Sequence, residues 1–180
     1  MYELKGKRIL MIISSHNYRD EELNIPKRIF EQTGATVDVA SEKIGKARGM
    51  LGGRIESDLV YSEAKIDDYD AVIFIGGVGS KIFWNDPKAH SLAKEVIDKD
   101  KLLGAICLAP ATLANAGVLK GKKATSYPMA SPALKKAGAD YTGKAVEVDG
   151  GIVTGEGPGA AEEFAMTIIR ELTKPSQSKI

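Results

Sequence analysis

The chain has 180 residues, 43% hydrophobic and 27% charged, with 25 basic and 24 acidic side chains for a net charge of +1. That composition fits a single soluble globular domain, residues 1–180, with a sizeable core. The charge balance gives no electrostatic footprint for nucleic acid or an anionic membrane, and two histidines with one cysteine argue against a zinc site.

The first apolar run, Ile9 to Ile13, is too short to span a bilayer and lacks a signal-peptide cleavage site. It falls within a first strand read from Arg8 to Ser14. Asp20 to Gln32 reads as a helix closed by Thr33-Gly34, and Thr36 to Ser41 as a second strand. Gly45 to Tyr61, with four glycines and short alternating pieces, predicts a hairpin excursion. Ala71 to Ile75 is a dense apolar strand ending at Gly76-Gly77, and Asp86 to Asp98 has helical spacing of Ala89, Leu92, Ala93, Val96 and Ile97. A strand from Leu102 runs into Cys107, and a helix follows to Asn115-Ala116-Gly117. Val146–Val148 and Gly151–Thr154 read as a late hairpin, Gly159–Leu172 as the last helix, and Thr173–Ile180 as a polar, frayed tail. Alternating strands and helices predict an α/β fold with a mostly parallel sheet covered on both faces. Ligands of such sheets sit beyond the carboxyl ends of the strands. Ser14–Asn17, Gly76–Gly79 and Cys107 all fall at such ends and are expected to share one crevice.

Cys107 is the only cysteine and lies at a strand-to-helix turn. A helix N-terminus stabilises an anion, which predicts a lowered thiol pKa; a buried structural cysteine is the plain alternative. A lone cysteine forms no intrachain disulfide, so a reducing, cytoplasmic setting is expected. Gly76-Gly77-Val78-Gly79-Ser80 is not a Walker loop and lacks dinucleotide spacing. Its better use is to aim an amide at the crevice, so that Gly77 and Leu108 form an oxyanion hole. Glu22 stands four residues before Pro26, which leaves its carbonyl without the usual helical partner. Periodicity alone nevertheless favours Asp20, Glu21 and Glu22 as first-turn acids facing solvent. His16 is a candidate base or an ordinary loop residue. His90 is expected on a solvated helix face, and Ile82, Phe83 and Trp84 as core or subunit contact beside the crevice.

Taken together, Ala105-Ile106-Cys107-Leu108-Ala109-Pro110, Ala116-Gly117-Val118-Leu119-Lys120-Gly121-Lys122, Thr125-Ser126-Tyr127-Pro128, Asp149-Gly150-Gly151-Ile152-Val153-Thr154 with Gly157-Pro158-Gly159 and Glu163-Phe164-Ala165, and Glu22-Leu23-Asn24-Ile25-Pro26 resemble the ThiJ/PfpI superfamily. The likeness runs from Lys7 to Leu172. It implies a flavodoxin-like fold, a strained nucleophile elbow at Cys107, and a protonated Glu22 facing the thiolate, against the solvent-facing reading. It also implies a homodimer or higher homo-oligomer with the site near an interface. Gly76, His16, Tyr127 and Pro128 are candidate lining residues. Leu108 replaces the histidine that follows the cysteine in the protease-like branch. Tyr127 and Glu156 replace the histidine and arginine of the deglycase branch.

These features lead first to a metal-free, cofactor-free enzyme acting on small reactive carbonyls in the manner of glyoxalases and deglycases. The thiolate would attack, Glu22 would shuttle a proton, and Gly77 and Leu108 would hold the oxyanion. The alternatives are a redox-sensing stress protein in which peroxide takes Cys107 to sulfinic acid, a peptidase-like cysteine hydrolase, and a flavin- or nucleotide-binding module without turnover.

Overall fold

The computed structural model describes residues 3–175. Its strands in chain order are β1 (Arg8–Ile12), β2 (His16–Tyr18), β3 (Thr36–Ser41), β4 (Gly45–Gly49), β5 (Arg54–Ser57), β6 (Leu59–Val60), β7 (Ala71–Phe74), β8 (Leu102–Ile106), β9 (Lys123–Ala124), β10 (Asp140–Tyr141), β11 (Val146–Asp149) and β12 (Ile152–Gly155). The helices are α1 (Asp20–Gln32), α2 (Pro87–Asp98), α3 (Pro110–Asn115), α4 (Ser131–Lys136) and α5 (Ala161–Thr173). The main sheet has the order β11-β12-β8-β7-β1-β3-β6, and its pairings are parallel except β11 with β12.

β7 and β8 are buried along their whole length, as continuous apolar strands between two helical layers should be. Side chains alternate between the sheet's faces. Ile9, Met11, Ile73 and Ile106 share one core with Leu23 and Phe30 of α1 and Phe164 and Ile168 of α5. Leu10, Ile12, Val72, Phe74 and Leu103 share the other with Leu92 and Val96 of α2 and Leu113 of α3. Each large side chain so buried contributes about 1.5–3 kcal/mol. Asp86 lies just outside α2, not within it, and caps it by accepting from the Lys88 N–H at 3.0 Å.

The excursion is more elaborate than one hairpin. β4 and β5 pair antiparallel, β2 adds parallel to β4, and β6 returns to the main sheet beside β3. The three-residue β2, the two-residue pair β9–β10 and α4 carry no local pattern strong enough to announce them. Of the expected tail, Thr173 closes α5, and positions 176–180 lie outside the described residues. Among the described residues, no helix is long and apolar enough to cross a membrane.

Candidate active site

β1, β7 and β8 lie side by side and parallel, so the turns after them open at one end of the sheet. The ladder extends past β8, with Cys107 N–H donating to the Gly155 carbonyl at 2.9 Å. There the chain reverses into α3. Cys107 takes φ +66°, a left-handed conformation that is uncommon for a residue with a side chain and marks a strained elbow. Its carbonyl accepts from Tyr127 N–H at 2.9 Å, fixing the turn from the far side.

Glu22 rises from the first turn of α1 to meet it. Its side chain is fully buried. Oε1 accepts from the Gly76 N–H at 3.0 Å. Oε2 has no well-aligned partner, although the carboxyl and the Cys107 sulfur interact directly. The three residues close on one point: a Cβ added at Gly76 would stand 2.5 Å from Glu22 Oε1 and 2.6 Å from the Cys107 Cβ. Only glycine fits there. Burial pushes the Glu22 carboxyl up to about 8, against the Cys107 and Gly76 hydrogen bonds and the charge of Arg19, so it is neutral at pH 7. A carboxylic acid suits this environment. Its carbonyl oxygen takes the Gly76 N–H, and its hydroxyl keeps a proton to give.

The expectation of a lowered thiol pKa is corrected. Cys107 is 7% exposed, and burial, then the nearby Glu22 charge, push its thiol up to about 12. The Gly77 and Leu108 amides act the other way, as hydrogen-bond donors to sulfur, but do not outweigh burial. α3 has only six residues, so its dipole is small. Two anions in this space are costly, and the pair titrates as one coupled unit.

The solvent-facing reading of the first-turn acids fails for two of the three. Glu22 and Asp20 are both buried, and Asp20 accepts from Leu51 N–H and Gly53 N–H, each at 2.7 Å. Only Glu21 stays partly exposed, holding Arg19 through two hydrogen bonds of 2.8 and 3.1 Å. By anchoring the β4–β5 turn, Asp20 seats Met50 at the site.

A cleft of about 310 Å³ opens over the sulfur, lined by Arg19, Met50, Gly77, Val78, Cys107, Leu108, Tyr127, Met129 and Pro158. Gly77, Leu108 and Tyr127 are thus where the sequence put them, and Gly76 packs beneath. Two candidates are not. His16 is exposed and lines a different pocket, because β2 turns it toward β4. Pro128 is not among the lining residues; it starts the helical turn that presents Met129. Arg19, Met50, Val78, Met129 and Pro158 were missed. Gly49, Gly52 and Gly53 flag the turn that carries Met50, but nothing local marks Met129. His90 is half-buried rather than solvated, with Nε2 2.8 Å from the Trp84 carbonyl. Phe83 is core, Ile82 is exposed, and Trp84 donates from Nε1 to the Leu108 carbonyl at 2.9 Å. Among the described residues, no group of three or more His, Cys, Asp or Glu side chains could hold a metal ion.

Comparison with known proteins matches the sequence pattern of the DJ-1/PfpI family to residues 7–171. An uncharacterised protein of Methanocaldococcus jannaschii is 42% identical over 177 residues, covering 97% of this chain and 86% of its own. A Thermococcus kodakarensis protein named as a deglycase is 35% identical over 150 residues, covering 83% of this chain and 90% of its own. The crystal structure of a ThiJ/PfpI domain protein from Brachyspira murdochii superposes with a TM-score of 0.93 at 34% identity, covering 96% of this chain and 99% of that one.

Proposed function

The chain belongs to the DJ-1/PfpI family, and on that premise we propose that it is a cysteine-dependent enzyme acting on small reactive carbonyls. The observation that carries this reading is the buried Glu22 carboxyl set against Cys107 on a left-handed elbow. A deglycase-named relative supports enzymatic activity in general.

Cys107 is the nucleophile. As a 2-oxoaldehyde enters the cleft, its aldehyde carbon bonds to sulfur and the oxygen becomes a hemithioacetal hydroxyl. Leu108 and Gly77 N–H groups stabilise the oxyanion on the way. Glu22, as its carboxylate, then takes the proton from that carbon and returns it to the neighbouring carbon while the hydroxyl proton passes to the neighbouring oxygen, turning the adduct into a thioester of a 2-hydroxy acid. Water cleaves the thioester and restores the thiol. The net change is addition of one water, with no outside oxidant or reductant. Arg19 is the charged side chain in an otherwise mostly apolar lining and offsets negative charge near sulfur. Consumption of methylglyoxal by purified protein, against a Cys107→Ala control, tests the reading. Equal rates in the two would overturn it.

A second reading has its own support. The same two amides, with the Glu22 hydroxyl, form three donors around sulfur and suit a sulfinate, so Cys107 serves as a peroxide sensor. Intact mass after graded peroxide separates the two: a selective gain of two oxygens favours the sensor. A cysteine hydrolase gains nothing from the geometry, since neither His16 nor His90 lines the cleft. We assign the protein to the reducing cytoplasm as a homodimer or larger homo-oligomer. Sedimentation equilibrium checks the assembly.

A further inference from the structure

The β2-β4-β5 sheet holds a second concavity that the carbonyl chemistry does not use. It is a pocket of about 290 Å³ lined by Ser15, His16, Lys46, Ala47, Arg48 and Arg54. The strand register explains its charge. His16 stands opposite Arg48 across the β2–β4 pair, and Arg48 stands opposite Arg54 across β4–β5. Three basic residues therefore form one row across three adjacent strands. Lys46, two positions along β4, lies on the same face as Arg48. Like charges directly opposite each other destabilise a ladder.

The acids nearby relieve this only in part. Glu42 is taken up by Ser15, accepting from its backbone N–H at 3.0 and 3.1 Å and from its hydroxyl. Glu56 opposes Lys46 in the register. Among the described residues, Lys46, Arg48 and Arg54 form no ion pair or side-chain hydrogen bond. At the floor, His16 Nδ1 lies 3.0 Å from the Ser15 hydroxyl. A concave site with two forked guanidinium groups, an ammonium and an imidazole matches a tetrahedral dianion, which guanidinium groups bind through paired N–H donors.

We propose that this pocket binds the phosphate group of a small phosphorylated metabolite. The site is separate from the Cys107 cleft, although one segment, from Ser15 through β2 to Arg19, contributes to both. Occupancy places a dianion among the cations and removes their mutual repulsion.

Calorimetric titration with inorganic phosphate and with a sugar phosphate, at constant ionic strength set by chloride, tests it. The expected result is saturable one-site binding by both, weakened at least tenfold in Arg48→Gln/Arg54→Gln and unchanged in Cys107→Ala. That double variant removes a repulsion, so its Tm without phosphate should equal or exceed wild type, which controls for misfolding. If it unfolds, Lys46→Gln is measured in its place, with a weakening of at least threefold expected. A wild-type response to phosphate no greater than to chloride would overturn the proposal. Binding to phosphatidic acid vesicles without any response to the two soluble phosphates would overturn the small-metabolite assignment.

Discussion

The Cys107 cleft and the pocket on the small sheet are nearly equal in size and built on opposite electrostatic plans. The Cys107 cleft, about 310 Å³, hides its reactive pair: Glu22 is fully buried and Cys107 almost so. The pocket on the small sheet, about 290 Å³, displays exposed cations. Burial changes protonation in the first, whereas exposed cations that form no ion pair among the described residues mark the second. A buried carboxyl and thiol are costly to ionise and become chemically useful for that reason. Exposed guanidinium groups are cheap to keep charged and serve recognition.

The largest effect is expected at the sulfur. Cys107→Ala is expected to reduce methylglyoxal consumption to the buffer rate while leaving phosphate titrations unaltered. Glu22→Gln comes next. Its amide still accepts from Gly76 N–H but has no proton to shuttle, and turnover should fall about 10²–10⁴-fold. The same variant changes stability against pH. The Glu22 pKa is raised to about 8 in the fold, above about 4.3 when unfolded. Its contribution is therefore complete below the unfolded value and is lost as pH rises through the folded one, by up to about 1.4 kcal/mol per pH unit. Urea unfolding at pH 6 and pH 8 should show that loss in wild type and a flatter response in Glu22→Gln.

Packing effects follow. Gly76→Ala should destabilise by about 1–3 kcal/mol, because the new methyl would meet Glu22 Oε1, the Cys107 Cβ and the Ile106 carbonyl at 2.5–2.7 Å. Thermal melts check this. Asp20→Ala should cost about 1–3 kcal/mol by stranding two backbone donors, and should raise the KM for methylglyoxal as Met50 loses its seat. The smallest change sharpens the other side. Arg54→Gln alone should alter stability by less than about 1 kcal/mol, toward greater stability, while lowering phosphate affinity.

How much of this was legible depended on how far apart in sequence the deciding residues lie. α1 and β3 follow local periodicity and match their expected bounds, Asp20–Gln32 and Thr36–Ser41. β7 differs by one residue, ending at Phe74 rather than Ile75. β2 was not legible, because three residues cannot show a period and their partners on β4 are more than thirty positions away. The cleft divides along the same line. Cys107, Gly77 and Leu108 sit at strand ends that an alternating fold must align. Met129 and Pro158 arrive from distant loops. Glu22 is instructive: helical spacing counted it with Asp20 and Glu21 as a surface acid, because periodicity reports where a residue sits on a helix and not what packs over it. Only the family resemblance turned it inward. The raised thiol pKa is hidden in the sequence for a related reason, since the sequence displays the turn but not the depth of burial.

The hydrogen bond between Trp84 and the Leu108 carbonyl has a practical consequence. Trp84 is the only tryptophan in the chain, and its indole N–H is tied to the residue that follows the cysteine. Indole emission shifts colour with the polarity and hydrogen bonding of its surroundings. The protein thus carries an intrinsic optical reporter hydrogen-bonded to the residue that follows its cysteine, so an adduct or oxidation product formed at the elbow would be expected to register as a change in emission without an attached dye.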